Sequence, residues 1–264
     1  MGQTARPPAA DLADAWPSIR TVPIGAPWRW LAAGLADMRQ IGGPSFFYGT
    51  SFAVAGWLLH LVFEQAYALL AALTTGFLLL GPFLAMGLYE LSRRRQRGES
   101  PRLGPTLAAW RPNLGNVAVF AALLAVVLMI WARSSLVIFA LFFDAGELPT
   151  FAGVVHSVLT FEQPAFALAY FTVGGFFALF VFAFSVVAVP LMLDRNTGAI
   201  TAAIASLVVC ARNPGPMLVW AACIAILAAV GFASLFVGLI VTMPLAGHAT
   251  WHAYRDLVEV QSPS

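Results

Sequence analysis

Apolar runs long enough to cross a bilayer recur along this chain, and they restrict its fold more than any other feature. The runs are Phe46–Phe63, Tyr67–Leu91, Val117–Phe143, Ala165–Leu193 and a long block from Met217 to Tyr254. A helix needs about 20 apolar residues to cross about 30 Å of hydrocarbon. The runs are continuously apolar and do not alternate, which selects helices over a transmembrane barrel. Charged residues make up only 10% of the chain and hydrophobic ones 60%. A soluble domain carries about 25% charged residues, so this chain cannot cover itself with a water-compatible surface. The expected fold class is therefore all-α, a polytopic transmembrane helical bundle.

As one helix, the last block would run roughly 57 Å at 1.5 Å per residue, too long for a single crossing. A hairpin turning near Gly231–Ser234 makes two short spans of it. Six crossings are expected, with five as the alternative. Arginine sets the orientation. Arg93, Arg94, Arg95, Arg97, Arg102 and Arg111 fall between the second and third spans, and Arg195 and Arg212 between the fourth and fifth. The other connections, Glu64–Ala66 and Asp144–Pro164, hold no basic residue. The positive-inside rule then puts the N-terminus and the arginine-bearing loops in the cytoplasm, with a bacterial inner membrane as the expected location. Residues 1–25 have no apolar signal-peptide region and read as a disordered cytosolic tail, followed by one transmembrane domain over 26–259.

Short amphipathic segments precede several spans. In Trp28–Gln40 the residues Trp28, Leu31, Leu35 and Met38 share one helical face, with Arg29, Asp37 and Arg39 away from it. Ile200, Ile204, Leu207 and Val208 do the same in Thr197–Arg212, as do Phe151, Val154, Val155 and Val158 in Pro149–Phe161. Such helices are expected to lie along the membrane surface. An internal repeat supports the arrangement. Leu107–Trp110 followed by Arg111, Pro112, Asn113 and Gly115 resembles Leu207–Cys210 followed by Arg212, Asn213, Pro214 and Gly215. The even-numbered spans each carry a late proline: Pro82, Pro190 and Pro244. The pattern reads as three copies of a surface helix plus two crossings, and duplication of this kind is common in transporters.

Ionisable groups inside a span are costly and are candidate functional residues by default. Glu90, Asp194, His248 and His252 occupy equivalent levels after the three prolines, near the cytoplasmic ends of spans two, four and six, with Arg255 and Asp256 one turn further on. His248 and His252 are spaced i, i+4, which aligns two imidazoles on one face and makes them weak candidates for a metal or haem. Trp251 and Tyr254 beside them favour the plainer reading of an aromatic belt at a helix end. No cofactor is expected. His60 and Glu64, also i, i+4, and Arg133 form a second cluster near the periplasmic side. Snorkelling to headgroups is the favoured account of Arg133. Cys210 and Cys223 stand alone and read as small apolar residues.

Three stretches suggest a family. Leu80-Gly81-Pro82 through Gly87-Leu88-Tyr89-Glu90-Leu91-Ser92-Arg93-Arg94 is the first. The others are Val189-Pro190-Leu191-Met192-Leu193-Asp194-Arg195 and Gly247-His248-Ala249-Thr250-Trp251-His252 to Leu257. Together they resemble the DUF2189 family of bacterial integral membrane proteins, over about Arg39 to Glu259. The resemblance implies no established activity, although some members carry the label of cytochrome c oxidase subunit. The haem-copper catalytic pattern of six histidines over several spans is missing here. No P-loop, G-x-S-x-G, H-E-x-x-H or Rossmann fingerprint occurs, and nothing suggests nucleic acid as a partner. The expected partners are the lipid bilayer and other membrane-protein subunits, such as a respiratory complex. The readings are, in order, a non-catalytic accessory or assembly subunit, a small transporter or channel, and a haem- or metal-binding membrane protein.

Overall fold

The computed structural model describes residues 16–65, 84–143 and 163–259, and these are helical almost throughout. A two-residue strand β1 (Ser18–Ile19) leads into α1 (Ala26–Ile41) and α2 (Gly43–Gln65). Residues 84–96 form α3. After α4 (Leu103–Thr106) and a 3-10 turn (Arg111–Asn113) come α5 (Leu114–Phe142), α6 (Pro164–Ser185), α7 (Ala188–Arg195) and α8 (Ala199–Arg212). The chain continues as α9 (Pro214–Ala233), α10 (Leu239–Leu257) and β2 (Val258–Glu259). Two compact units result: Met1–Phe120 with Ala183–Ser264, and Ala121–Phe182.

Three helical stretches are long and apolar enough to cross a membrane: Leu103–Phe142, Pro164–Arg195 and Pro214–Ala233. They contain the expected third and fourth spans and the first half of the divided block. Most of the expected second span, with Pro82, lies outside the described residues, and so does Pro149–Phe161. The long block does break, at residues 234–238. Leu235 and Phe236 both take left-handed backbone there, with φ of 53° and 66°. The Ser234 hydroxyl accepts from Gly238 N–H at 2.8 Å and closes the turn.

Pro190 and Pro244 act differently on their helices. Pro190 cannot donate to the carbonyl four residues back and its ring crowds that carbonyl. The fourth expected span accordingly breaks between α6 and α7, and the freed Val187 N–H donates to Ser206 Oγ at 3.1 Å. Pro244 sits inside α10 without ending it. The helical donor for the Ile240 carbonyl would be the missing N–H of residue 244, and this carbonyl lies against Gly49 of α2, where any side chain would collide with it.

In the first unit α10 packs against α1, α2 and α9. A Cβ on Gly34 would stand 2.6 Å from Ala249 N, so α1 and α10 touch backbone to backbone. Trp30 meets Trp220 edge-on at 5.8 Å. In the second unit, Trp131 packs on Phe177 and Tyr170 at 5.6 and 5.4 Å, Phe139 on Phe166 at 5.2 Å and Phe143 on Phe166 at 5.0 Å. Positions rise along α5 as they fall along α6, so the two helices run antiparallel. Pairs of this kind are worth about 0.5–1.5 kcal/mol each beyond their burial.

Helix faces sort by residue size. The buried side of α1 is Trp30, Gly34, Asp37, Met38 and Ile41, whereas Trp28 is 64% exposed. The buried side is thus the one that carries Asp37, and the side that carries Trp28 faces outward. The same holds for α8, whose alanines Ala202, Ala203 and Ala205 are buried while Ile200 is 65% exposed. Small residues let the helix approach its neighbours, which leaves the large ones outside. The segment before Asn113 is not an amphipathic helix but one α-turn and a 3-10 turn, because Gly104, Pro105 and Pro112 cut it short.

The expected tail is also partly built in. Ser18 and Ile19 pair antiparallel with Glu259 and Val258, and Arg20 N–H donates to Leu257 O at 2.8 Å. Val22 N–H donates to Asn213 Oδ1 at 2.9 Å, and Asn213 Nδ2 returns a bond to Arg20 O at 3.0 Å. Asn113, at the equivalent repeat position, grips Met192 O and Thr197 O, both at 3.1 Å. Residues 1–15 lie outside the described ones.

Candidate functional site

Asp37 is the centre of the polar interior. It lies in the last turns of α1 on the same side as Trp30 and Gly34, and it is 0% exposed. The Arg95 guanidinium, from α3, contacts its Oδ1. Arg95 also bonds Gln40 of α1, with Nε at 3.0 Å from Oε1. An ionised carboxylate accepts hydrogen bonds and donates none, and that one-way rule orders everything around it.

Two hydrogen-bond chains run to Asp37. Ser92 Oγ stands 2.5 Å from Asp37 Oδ2 and must donate to it. The Ser92 oxygen then accepts from His248 Nδ1 at 2.7 Å, and His248 Nε2 accepts from Ser45 Oγ at 2.9 Å. This fixes His248 as the neutral Nδ1–H tautomer by hydrogen-bond logic. The second chain starts at Trp251 Nε1, which donates to Gln96 Oε1 at 2.9 Å. Gln96 Nε2 donates to His252 Nδ1 at 3.4 Å, and His252 Nε2 donates to Asp37 Oδ2 at 3.0 Å. Four helices contribute: α1, α2, α3 and α10. A buried polar group costs stability unless it is paired, and here each has its partner.

Asp194, at the end of α7, anchors a second cluster. Tyr254 OH donates to its Oδ2 at 2.8 Å, Arg255 approaches Oδ2 at 3.4 Å, and Arg97 approaches Oδ1 at 3.5 Å. Asp194, Arg97 and Arg255 border a cavity of about 480 Å³, lined also by Arg93, Gln96, Arg195 and Trp251. The structure thus brings together the ends of α3, α7 and α10. Of the residues singled out in the sequence, Asp194 and Arg255 meet here, and His252 and His248 join the Asp37 network. Glu90 is buried but turns to Arg93 and Arg94, at 2.7 and 2.8 Å. Asp256 holds Arg29 at 3.1 Å and the Trp30 indole N–H at 2.9 Å, tying α10 to the start of α1.

Of the second cluster, His60 belongs to the first unit and Arg133 to the second. His60 packs near Trp57 and Phe236, with ring centroids 5.9 and 6.1 Å away. Arg133 lies in the second unit, on an apolar groove formed with Val137 and Val173. The Glu64 side chain lies outside the described residues.

No group of three His, Cys, Asp or Glu side chains arranged to hold a metal occurs among the described residues. Both nitrogens of His248 are engaged by hydroxyls and both of His252 by Asp37 and Gln96, so neither ring presents a free ligand atom. Asp37, Ser45, Ser92, Arg95 and Gln96 were not singled out in the sequence. One signal was available: Asp37 is in helical phase with Trp30, Gly34 and Ile41. For the serines there was none, since only the packing of α2 and α3 on α10 brings them to the histidine.

Three apolar helical stretches of membrane-crossing length give the chain the character of a helical integral membrane protein. Residues 69–194 match the model of the DUF2189 family, described as a predicted integral membrane protein. This is the family that the sequence motifs resemble, and the match takes in the first motif and all but the last residue of the second, stopping short of the third. No curated protein and no solved structure matches the chain.

Proposed function

We propose that the protein is a non-catalytic accessory or assembly subunit of a membrane complex, with a respiratory complex as the first candidate. The observation that carries this reading is the saturation of the Asp37 network. Its carboxylate, two imidazoles and two hydroxyls spend their hydrogen-bonding capacity on one another, as groups that hold a core do. The arginine distribution supports a cytoplasmic N-terminus and a bacterial inner membrane. The break at 234–238 and the paired roles of Asn113 and Asn213 support six crossings built from three repeats.

A second reading, a small transporter or channel, is favoured by the cavity where the ends of α3, α7 and α10 meet at Asp194. Its lining does not include His248 or Glu90. A haem- or metal-binding role ranks third, because both histidines are engaged. The deciding experiment is affinity purification in mild detergent at native expression level, with mass spectrometry of what stays bound. Stoichiometric recovery of respiratory-complex subunits is the expected result. Recovery of the chain alone, or only as its own oligomer, overturns the accessory reading in favour of transport.

A further inference from the structure

The cavity at Asp194 collects positive charge in a way that its internal partners do not balance. Four guanidiniums line it, from Arg93 and Arg97 of α3, Arg195 of α7 and Arg255 of α10, facing the single carboxylate of Asp194. Arg93 also has Glu90 at 2.7 Å, outside the lining. Allowing for both acids, two positive charges remain in excess. Arg195 spends one N–H on the uncharged backbone carbonyl of Glu259. Arg97 and Arg255 hold Asp194 only at 3.5 and 3.4 Å, beyond the ~2.7–2.9 Å of a close charge-assisted bond. Three separate helices therefore bring like charges to one recess, where an entering anion would relieve their mutual repulsion. The neighbouring Glu259 carboxylate does not supply it, being held by Arg20 at 2.8 Å.

We propose that this cavity binds a phosphate group. Planar guanidiniums converging from several directions match the oxygens of a tetrahedral phosphate, each offering paired N–H donors. A volume of about 480 Å³ exceeds what a bare ion needs and leaves room for the organic part of a phosphoester beside the Trp251 ring. The source is either a phospholipid headgroup or a soluble phosphate compound. The proposal stands apart from the accessory-subunit reading, since it concerns the ligand of a pocket and not the company the chain keeps.

The test uses the full-length protein in uncharged detergent, with the thermal unfolding midpoint followed against inorganic phosphate at constant ionic strength and chloride as the control. A parallel arm compares the protein in phosphatidylcholine and phosphatidylglycerol vesicles. Stabilisation by inorganic phosphate identifies a soluble source; stabilisation by phosphatidylglycerol alone identifies a headgroup. Arg97→Gln, at a side chain 52% exposed, is expected to keep the fold and weaken the response about tenfold. Arg255→Gln serves as the second variant. Arg102→Gln removes the same charge outside the cavity and is expected to respond like the parent. A parent protein indifferent to both ligands, or equal losses in Arg97→Gln and Arg102→Gln, overturns the proposal.

Discussion

His252 of α10 and Asp37 of α1 meet at 3.0 Å, and this contact closes the second of two hydrogen-bond chains on one buried carboxylate. The first chain arrives from Ser45 through His248 and Ser92. Because Asp37 only accepts, replacing it reverses the demand on three donors at once. Asp37→Asn is expected to lower stability by about 2–3 kcal/mol, below the ~3–5 kcal/mol of a fully buried ion pair because Arg95 reaches solvent. Denaturation in detergent measures it. Combining it with Ser92→Ala is expected to cost less than the two changes separately, since they break the same chain.

The engaged imidazoles make a spectroscopic prediction. With both ring nitrogens of His248 and His252 used internally, added zinc or nickel, or a chelator, is expected to leave the unfolding midpoint unchanged. The purified protein is expected to show no Soret band. A metal-dependent midpoint or a Soret band would show that the histidines exchange their partners for a ligand.

Leu235 turns the chain between α9 and α10 at φ 53°, a conformation that costs an L-residue about 1–2 kcal/mol and glycine almost nothing. Its side chain is exposed. Leu235→Gly is therefore expected to be neutral or stabilising by up to about 1 kcal/mol, after subtraction of the entropy glycine adds to the unfolded chain. Unfolding of parent and variant under identical conditions decides it, and a clear loss would mean that Leu235 has a packing partner.

Glu259 couples the N-terminal strand to pH. A hydrogen bond from Arg20, then the Arg20 charge, then a bond from Ser18 hold its carboxyl below the ordinary glutamate range. A folded-state value below the unfolded one means that the stabilisation is present above the usual glutamate value of about 4.3 and is lost as pH falls through the lowered folded value. A carboxyl-carbon NMR titration is expected to place the Glu259 midpoint below that of a free glutamate. Arg20→Gln should move it back up, and an unmoved midpoint would refute the coupling.

Cys210 on α8 is expected to be a poor nucleophile. Burial pushes its thiol up to about 11, and its sulfur lies 3.9 Å from the Ala183 carbonyl. Maleimide labelling at neutral pH is expected to be slow and to accelerate when the protein is unfolded. Rapid labelling of the folded protein would show that α8 lifts from its neighbours.

Helix existence was legible in the residues because it depends on local chemistry, above all on apolar length. The break after Gly231 was legible for the same reason, since no single helix of that length suits a bilayer. Helix rotation was not. Trp28 and Ile200 are exposed while Gly34 and the alanines of α8 face inward, because small residues let helix backbones approach closely.

The candidate site divides along the same line. The i, i+4 spacing of His248 and His252 could be read from the residues, because it puts both imidazoles on one side of α10, and both join the Asp37 network. Who meets whom could not, because Asp37 and Ser92 are 55 positions apart and Ser45 and His248 are 203 apart. The sequence by itself determined that this chain enters a membrane as helices, since hydrocarbon admits no other continuous apolar backbone. The tertiary structure alone decided which polar groups are buried and which partners satisfy them, since a buried charge is costly unless another group pairs with it.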